Sequence, residues 1–203
     1  MNIKKRKEKA IDCSLMESAD GRCIRPRAGA FFLRFAKQRK DGVLFTVSKQ
    51  GHALTVSYRK RLFMPFPQPA VTADGYARYK TVERGVDLAY MPTEDAVEAM
   101  IVVTRRRVKY RFVFTLQTTK GLSVFLAREG QDLLITDMQN KNQVFRLSAF
   151  RMVDAAQVSL DAVACSLKPA RDGWRLLVEA DSLWISDKNR VLPVCISSVL
   201  SVL

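Results

Sequence analysis

Hydrophobic and polar residues alternate in short runs from about residue 30 to the end of the chain, and turn-forming residues separate these runs. In the run 111–116, for example, Phe112, Phe114 and Leu116 fall on one face, and the residues between them fall on the other. Because side chains point to alternate faces along a strand, this period of two predicts a half-buried strand.

Turn signals such as Asp41-Gly42, Gln50-Gly51 and Asp172-Gly173 stand between the runs, at spacings typical of sandwiches and barrels. The predicted strands are Phe31–Phe35, Val43–Ser48, Ala53–Tyr58, Ala77–Val82, Val86–Tyr90, Val97–Thr104, Val108–Leu116, Leu122–Ala127, Asp132–Thr136, Val144–Leu147, Ser159–Leu167, Trp174–Glu179 and Pro193–Ile196. We therefore expect an all-β, antiparallel, sandwich-like fold built of consecutive hairpins.

Three regions are predicted along the chain. Residues 1–28 are basic and lack strand or helix periodicity, so we expect a disordered, flexible arm. Residues 29–70 are expected to form an N-terminal β meander that ends in a crossing with alternating Pro65, Pro67 and Pro69, because proline cannot donate to a strand ladder. Residues 71–203 are expected to form the main β domain.

Charge is concentrated at the N-terminal end. The 203 residues carry a net charge of +14, and residues 1–61 hold 16 of the 34 Lys and Arg but only 5 of the 20 Asp and Glu. No apolar run approaches the length of about 18 residues that a membrane-spanning helix needs. Asp12, Glu17 and Asp20 stand where a signal peptide would be apolar, so secretion of this chain by itself is not predicted.

Residues for catalysis are scarce. His52 is the only histidine, at the tip of a predicted hairpin turn, and no GxSxG, P-loop or GxGxxG motif is present. Paired carboxylates would suffice for glycoside hydrolysis, and the candidates are Asp87, Asp137, Asp154, Asp161 and Asp181. We consider three hypotheses for function, and a carboxylate-dependent glycan hydrolase is the third of them. Our prediction is that the chain has no catalytic residue, cofactor or metal site.

Four cysteines, Cys13, Cys23, Cys165 and Cys195, lack the CxxC spacing of zinc or redox motifs. The four cysteines can form two disulfides in any of three connectivities, and the sequence does not choose among these or the free thiols. Cys165 and Cys195 lie in apolar strand runs, so we interpret both as core-facing thiols.

The second hypothesis is a nucleic-acid or polyanion-binding protein. Lysine and arginine side chains release counterions when they neutralise phosphates. The candidate binding residues are Lys4, Lys5, Arg6 and Lys7 in the arm, and Arg105, Arg106, Arg107 and Lys109 in a predicted hairpin turn between Val103 and Val108. No aromatic side chain precedes Phe31 in the arm, so a nucleic-acid partner is considered but not favoured.

Several segments occur in the order found in a known family. Residues 79–90 read Y-K-T-V-E-R-G-V-D-L-A-Y, residues 150–155 read F-R-M-V-D-A, and residues 184–196 read W-I-S-D-K-N-R-V-L-P-V-C-I. The residues that carry the motifs are Tyr79, Gly85, Val86, Asp87, Tyr90, Asp154, Trp184 and Pro193. Across residues 40–197, the chain resembles a β module of bacterial surface polypeptides that carry Rhs/YD repeats and DNRLRE domains.

The resemblance implies a cell-surface scaffold without catalytic residues, whose partners are other domains of a larger surface polypeptide or a separate protein. Arg151 replaces the family's proline, and Ser197-Ser198 replaces its closing Asp-Pro. We therefore expect a fragment of a longer polypeptide or a diverged stand-alone copy. The leading hypothesis is a non-catalytic structural or interaction β module.

Overall fold

The structure is a computed structural model that describes residues 12–19, 21–37, 42–58, 66–107, 109–127 and 132–203. Within these ranges the chain forms 18 strands and one short helix, so the predicted all-β class is confirmed. The elements are β1 Leu15–Glu17, β2 Cys23–Pro26, β3 Phe32–Ala36, β4 Val43–Lys49, β5 His52–Tyr58, β6 Ala70–Val71, β7 Ala77–Glu83, β8 Val86–Pro92, β9 Ala96–Val103, β10 Arg111–Thr118, β11 Leu122–Leu126, β12 Leu133–Asp137, β13 Gln143–Leu147, β14 Arg151–Val153, β15 Ser159–Leu160, β16 Val163–Ala170, β17 Gly173–Ala180, α1 Ser182–Ser186 and β18 Val194–Val202.

The strands form two antiparallel sheets. The first sheet has the order β1-β2-β3-β4-β5-β10-β17-β16, and the second has the order β11-β12-β13-β18-β9-β8-β7-β6, with β14 paired to β18 and β15 paired to β14. Most neighbours in each sheet are also consecutive in the chain, so hairpins supply most of the pairing, as the turn signals predicted. The pairings β5–β10, β10–β17, β13–β18 and β9–β18 join distant segments.

The buried faces of the two sheets meet in one hydrophobic core. Tyr79 of β7 is fully buried, and its hydroxyl donates to the carbonyl oxygen of Leu44 on β4, 2.6 Å away. The ring of Tyr90 on β8 lies 5.0 Å from that of Phe45 and 6.0 Å from that of Phe35, both in the first sheet. These contacts link the sheets face to face, in the sandwich-like arrangement that was expected.

The predicted boundary at residues 70 and 71 does not coincide with a boundary between sheets. β5, from the predicted meander, pairs with β10, from the predicted main domain, over the register Leu54–Tyr58 against Phe114–Thr118. Both regions also contribute to the same core.

The described part of the predicted arm, which covers residues 12–19 and 21–28, contains strands. β1 pairs with β2, and β2 pairs with β3 of the meander, while residues 1–11 lie outside the described residues. A turn in which the backbone N–H of Ser18 donates to the carbonyl of Cys23 joins the two strands, and Ile24 is buried. The expectation of a disordered arm is therefore wrong for residues 12–19 and 21–28, because one buried side chain and backbone pairing with β3 order a segment that lacks periodicity.

Candidate functional site

Asp154 lies just after β14 and is only 2% exposed. Its Oδ1 accepts the backbone N–H groups of Ala156 at 3.0 Å and Val158 at 2.9 Å, and its Oδ2 accepts that of Val191 at 3.3 Å. In return, the N–H of Ala155 donates to the carbonyl of Val191. The carboxylate therefore joins the turn after β14 to the segment that leads into β18.

Arg190 and Trp184 complete this cluster. The guanidinium of Arg190 lies with Nη1 3.6 Å from Asp154 Oδ2 and with its central carbon 5.0 Å from the centroid of the Trp184 ring. Trp184 is held by α1, whose first turn is capped by Asp181, because that carboxylate accepts the N–H groups of Leu183 and Trp184. Two of the sequence motifs, 150–155 and 184–196, thus meet in space.

The electrostatics of the cluster keep Asp154 ionised. Burial by itself raises the pKa of the Asp154 carboxyl, but the N–H groups of Val158, Val191 and Ala156 and the charge of Arg190 outweigh it, so the pKa lies below its ordinary value. A general acid needs the opposite shift, toward neutral pH. The environment of Asp154 therefore suits a structural anion.

Asp87 also holds the backbone in place. Its Oδ1 accepts the N–H of Thr81 at 2.7 Å, and its Oδ2 accepts Nε and Nη2 of Arg78 at 3.1 and 2.8 Å. Thr81 has φ +55° and lies where the register between β7 and β8 shifts. Asp87 therefore stabilises this irregularity from the neighbouring strand, β8.

Gly85 occupies the turn between β7 and β8 with φ +75°, a conformation that glycine adopts at little cost. A Cβ there would lie 2.7 Å from Cβ of Arg105, so the arginine side chain packs directly over the glycine. Of the other motif residues, Val86, Tyr79 and Tyr90 are buried in the core, and Pro193 directly precedes β18. The motif residues of the described structure thus have folding roles.

Asp87 and Asp154 are too far apart for paired acid/base chemistry. Asp87 on β8 is in register with Val102 on β9, and Val102 is in register with Cys195 on β18. Cys195 is in register with Val153 on β14, which is the residue before Asp154. Three strand spacings separate β8 from β14, which amounts to about 14 Å. Glycosidase carboxyl pairs are about 5 to 9.5 Å apart.

Asp161 and Asp181 also have structural partners. Asp161 is exposed and forms an ion pair with Arg151 at 3.3 Å, and Asp181 is the cap of α1. Both carboxylates are therefore engaged in structural contacts.

Asp137 lies beside His52 at one end of the sandwich. Its Oδ2 is 3.7 Å from Nε2 of His52, while its two oxygens accept the N–H of Gln139 and the amide of Asn140. The turn is formed by Gln50 and Gly51, and His52 itself begins β5, which corrects its predicted place at the turn.

The His52–Asp137 pair lines an open cleft of about 400 Å³. Its lining residues are Lys49, Gln50, His52, Asp137, Asn140, Asn142, Gln143, Val144 and Leu203. A histidine oriented by an aspartate is two thirds of a hydrolytic triad, but this lining includes no Ser, Thr or Cys that the pair would activate. The cleft is therefore polar, and its lining offers no hydroxyl or thiol nucleophile.

The basic residues 105–109 do not form a hairpin turn. They connect β9 of the second sheet to β10 of the first, so the predicted hairpin between Val103 and Val108 is wrong. Arg106 Nη2 donates to the carbonyls of Asp187 at 3.3 Å and Arg190 at 3.0 Å, which attaches the crossing to the loop after α1.

Arg107 is likewise occupied, because its Nη2 pairs with Glu83 Oε2 at the end of β7. Glu83 also accepts the hydroxyl of Tyr58 at 2.7 Å. Burial, and after it the Glu83 carboxylate, raises the pKa of Tyr58 well above its ordinary value. Of the four predicted polyanion-binding residues in the crossing, Arg106 and Arg107 are thus engaged within the fold, and Arg105 covers Gly85.

Lys109 is exposed, and Lys4, Lys5, Arg6 and Lys7 lie outside the described residues. Polyanion binding by the arm stays a prediction.

The described residues contain no group of three or more His, Cys, Asp or Glu side chains that could hold a metal ion. All four cysteines are free thiols, and burial raises the pKa of Cys165 to about 11. Both Cys165 and Cys195 are only partly buried, although Cys165 packs against the core as expected. Among the described helical residues, we find no segment of the length and apolarity required to cross a membrane.

Sequence reasoning identified Asp87 and Asp154 but not their partners Arg78 and Arg190. The pairs are separated by 9 and 36 residues, and no local pattern links their members. The cap of α1 had a local signal, since aspartate is a favoured N-cap, but a helix of five residues shows no periodicity.

Comparisons with protein-family models, with curated proteins and with solved structures gave no significant match, so the resemblance to the Rhs/YD-associated β module stays a prediction.

Proposed function

We propose that this protein is a non-catalytic β module that serves as a structural or interaction domain. The observation that carries the proposal is that each of the five candidate carboxylates makes a structural contact. Asp154 and Asp87 anchor backbone N–H groups, Asp181 caps α1, Asp137 closes a turn, and Asp161 forms a surface ion pair. Each is committed to the fold.

The distances support the same conclusion. Asp87 and Asp154 are about 14 Å apart across the second sheet, and the cleft of the histidine–aspartate pair is lined by no Ser, Thr or Cys. What the structure offers instead is two broad sheets, and the outward residues of β10 in the first sheet are exposed or only partly buried, which suits contact with other macromolecules.

We expect the purified chain to release no product from polysaccharides or from p-nitrophenyl esters above the buffer rate. The measurement is a reducing-end assay for the polysaccharides and an absorbance assay for the esters. Asp137→Asn and Asp87→Asn variants, shown to be folded by circular dichroism, serve as matched samples. Turnover by the native chain that disappears in a folded variant would show that the protein is an enzyme and would end the proposal.

A further inference from the structure

The outer face of the first sheet carries an excess of positive charge. Its positions alternate with buried ones along each strand, as in β10, where Phe112, Phe114 and Leu116 are buried. The charged residues at the described outer positions are the cations Arg25, Arg34, Arg111, Lys168 and Arg175, and the single carboxylate Glu179. The residues between them are a mixture of Ser and Thr with apolar side chains such as Phe32 and Leu177, so this face is basic with both polar and apolar parts.

A groove crosses this face at β10, β17 and β16. It encloses about 370 Å³, and its lining residues are Arg111, Val113, Ser166, Lys168, Arg175 and Leu177. We refer to these six residues as the basic groove. Val113 pairs with Leu177, and Leu177 pairs with Ser166, so these three form a central row with an apolar part.

Cations flank that row on both sides. Arg175 and Lys168 are direct cross-strand partners two residues from the row, while Arg111 lies two residues from it in the other direction. The groove therefore presents an apolar strip between positive charges.

The pairing of Lys168 with Arg175 is unfavourable for the isolated protein. Directly opposite residues in an antiparallel pair have Cβ atoms about 5 Å apart, and like charges at this distance destabilise the sheet. Neither side chain forms an ion pair or hydrogen bond with the described residues, and both are exposed. An anion placed between them would neutralise this repulsion.

Arg111 is available for a ligand as well. It forms an ion pair with Glu179 at 3.1 Å, but the two side chains are 50% and 46% exposed. Exposed pairs of this kind are worth at most about 1 kcal/mol. An incoming carboxylate can therefore replace Glu179 at little cost.

We propose that the basic groove binds an extended acidic peptide segment of a partner protein. Carboxylates of the peptide pair with Lys168 and Arg175 on one side and with Arg111 on the other, and an apolar side chain of the peptide covers Val113 and Leu177. This inference rests on the proposed role of the protein as an interaction module, and it specifies the surface and the chemistry of the partner.

The composition of the groove favours a peptide over a nucleic acid. Single-stranded nucleic acids bind through bases that stack on aromatic side chains, and no aromatic residue lines the groove. An apolar strip of Val113 and Leu177 complements an aliphatic side chain and offers nothing to a phosphate backbone. Arginine also binds carboxylates through two parallel hydrogen bonds, which suits recognition of Asp and Glu.

The test is fluorescence anisotropy with the full chain and a fluorescein-labelled peptide of glutamate and leucine in alternation. We expect saturable binding that weakens as salt increases. The double variant Lys168→Glu/Arg175→Glu should weaken binding at least about tenfold, because two attractive contacts become repulsive. All the exchanged side chains are exposed, and circular dichroism verifies that the variants fold.

The matched control is Lys120→Glu/Lys188→Glu, which makes the same change in net charge at two exposed residues outside the groove. It should change the affinity by no more than about twofold. Equal loss in both double variants would mean that only net charge matters, and the proposal would be wrong. Absence of binding by the native chain at low salt would also overturn it.

Two further probes address the chemistry of the ligand. A peptide with serine in place of leucine should bind more weakly to the native chain, and Leu177→Thr should remove most of that difference. Tighter groove-dependent binding of a single-stranded oligonucleotide or polyphosphate than of the peptide would contradict the proposed partner. These outcomes are distinct from product release in the hydrolysis assays, which tests the non-catalytic role itself.

Discussion

Replacing Asp154 with asparagine is expected to lower the midpoint of thermal unfolding strongly. The asparagine amide would place an NH2 group against backbone N–H donors that now contact a carboxylate oxygen, and Arg190 would lose its counter-charge. Removal of one charge from a buried, hydrogen-bonded ion pair leaves the other charge uncompensated. The measurement is thermal unfolding followed by circular dichroism at neutral pH.

The control for this variant is Asp161→Asn, which removes one carboxylate charge from an exposed ion pair. Its midpoint should stay within about 2 °C of the native value. In addition, Arg190→Met should recover part of the loss when it is combined with Asp154→Asn, since it removes the unpaired buried cation. Equal midpoints for the Asp154 and Asp161 variants would show that the cluster does not hold the fold together.

Gly173→Ala is expected to destabilise the protein by about 3 kcal/mol. Gly173 has φ +132°, and a Cβ there would lie 2.2 Å from the backbone carbonyl oxygen of Leu116 on β10. Because that atom belongs to a paired strand in the first sheet, the clash cannot be relieved by rotation of a side chain. Urea unfolding of the native and variant chains gives the difference in free energy.

Gly121→Ala separates the clash from the cost of the backbone conformation. Gly121 also has a positive φ, +88°, but a Cβ there meets no atom within 4 Å. This variant should lose only about 1 kcal/mol. If Gly173→Ala cost no more than Gly121→Ala, β17 would not lie as close to β10 as the structure places it.

Local alternation predicted most of the strands, because each half-buried strand carries its own period of two. Alternation failed where a strand forms because it pairs with a segment that is distant in the sequence. The last strand continues to Val202, beyond the predicted end at Ile196, because it pairs with β9 along Ala96–Val103. β1 and β2 were missed because they are only 3 and 4 residues long and contribute few apolar side chains.

The sequence also could not predict which connections cross from one sheet to the other. A strand, a charged loop and another strand look the same whether the second strand turns back beside the first or crosses to the facing sheet. The chain crosses between the sheets from β9 to β10, and this places Arg106 against the loop after α1.

The basic groove, too, depends on contacts between segments that are distant in the sequence. Alternation placed Arg111, Val113 and Thr115 on one face, but the basic groove became visible only through the register of β10 with β17 and β16. The residues Lys168 and Arg175 are seven apart in sequence, and only the hairpin between them brings their charges face to face.

We propose that the buried carboxylates, and Asp154 above all, serve the fold rather than a reaction. The most direct test is the free energy of unfolding of native protein and Asp154→Asn as a function of pH. Because the folded-state pKa of Asp154 lies below its ordinary value of 3.8, its ionised form stabilises the fold above that pH, and this contribution is lost as the pH falls through the folded-state pKa. We expect a constant gap in the free energy of unfolding between the two proteins from pH 7 to about 5 and convergence of the two curves below pH 3.8. Curves that stay parallel to the lowest pH, or a gap that opens as the pH falls, would contradict it.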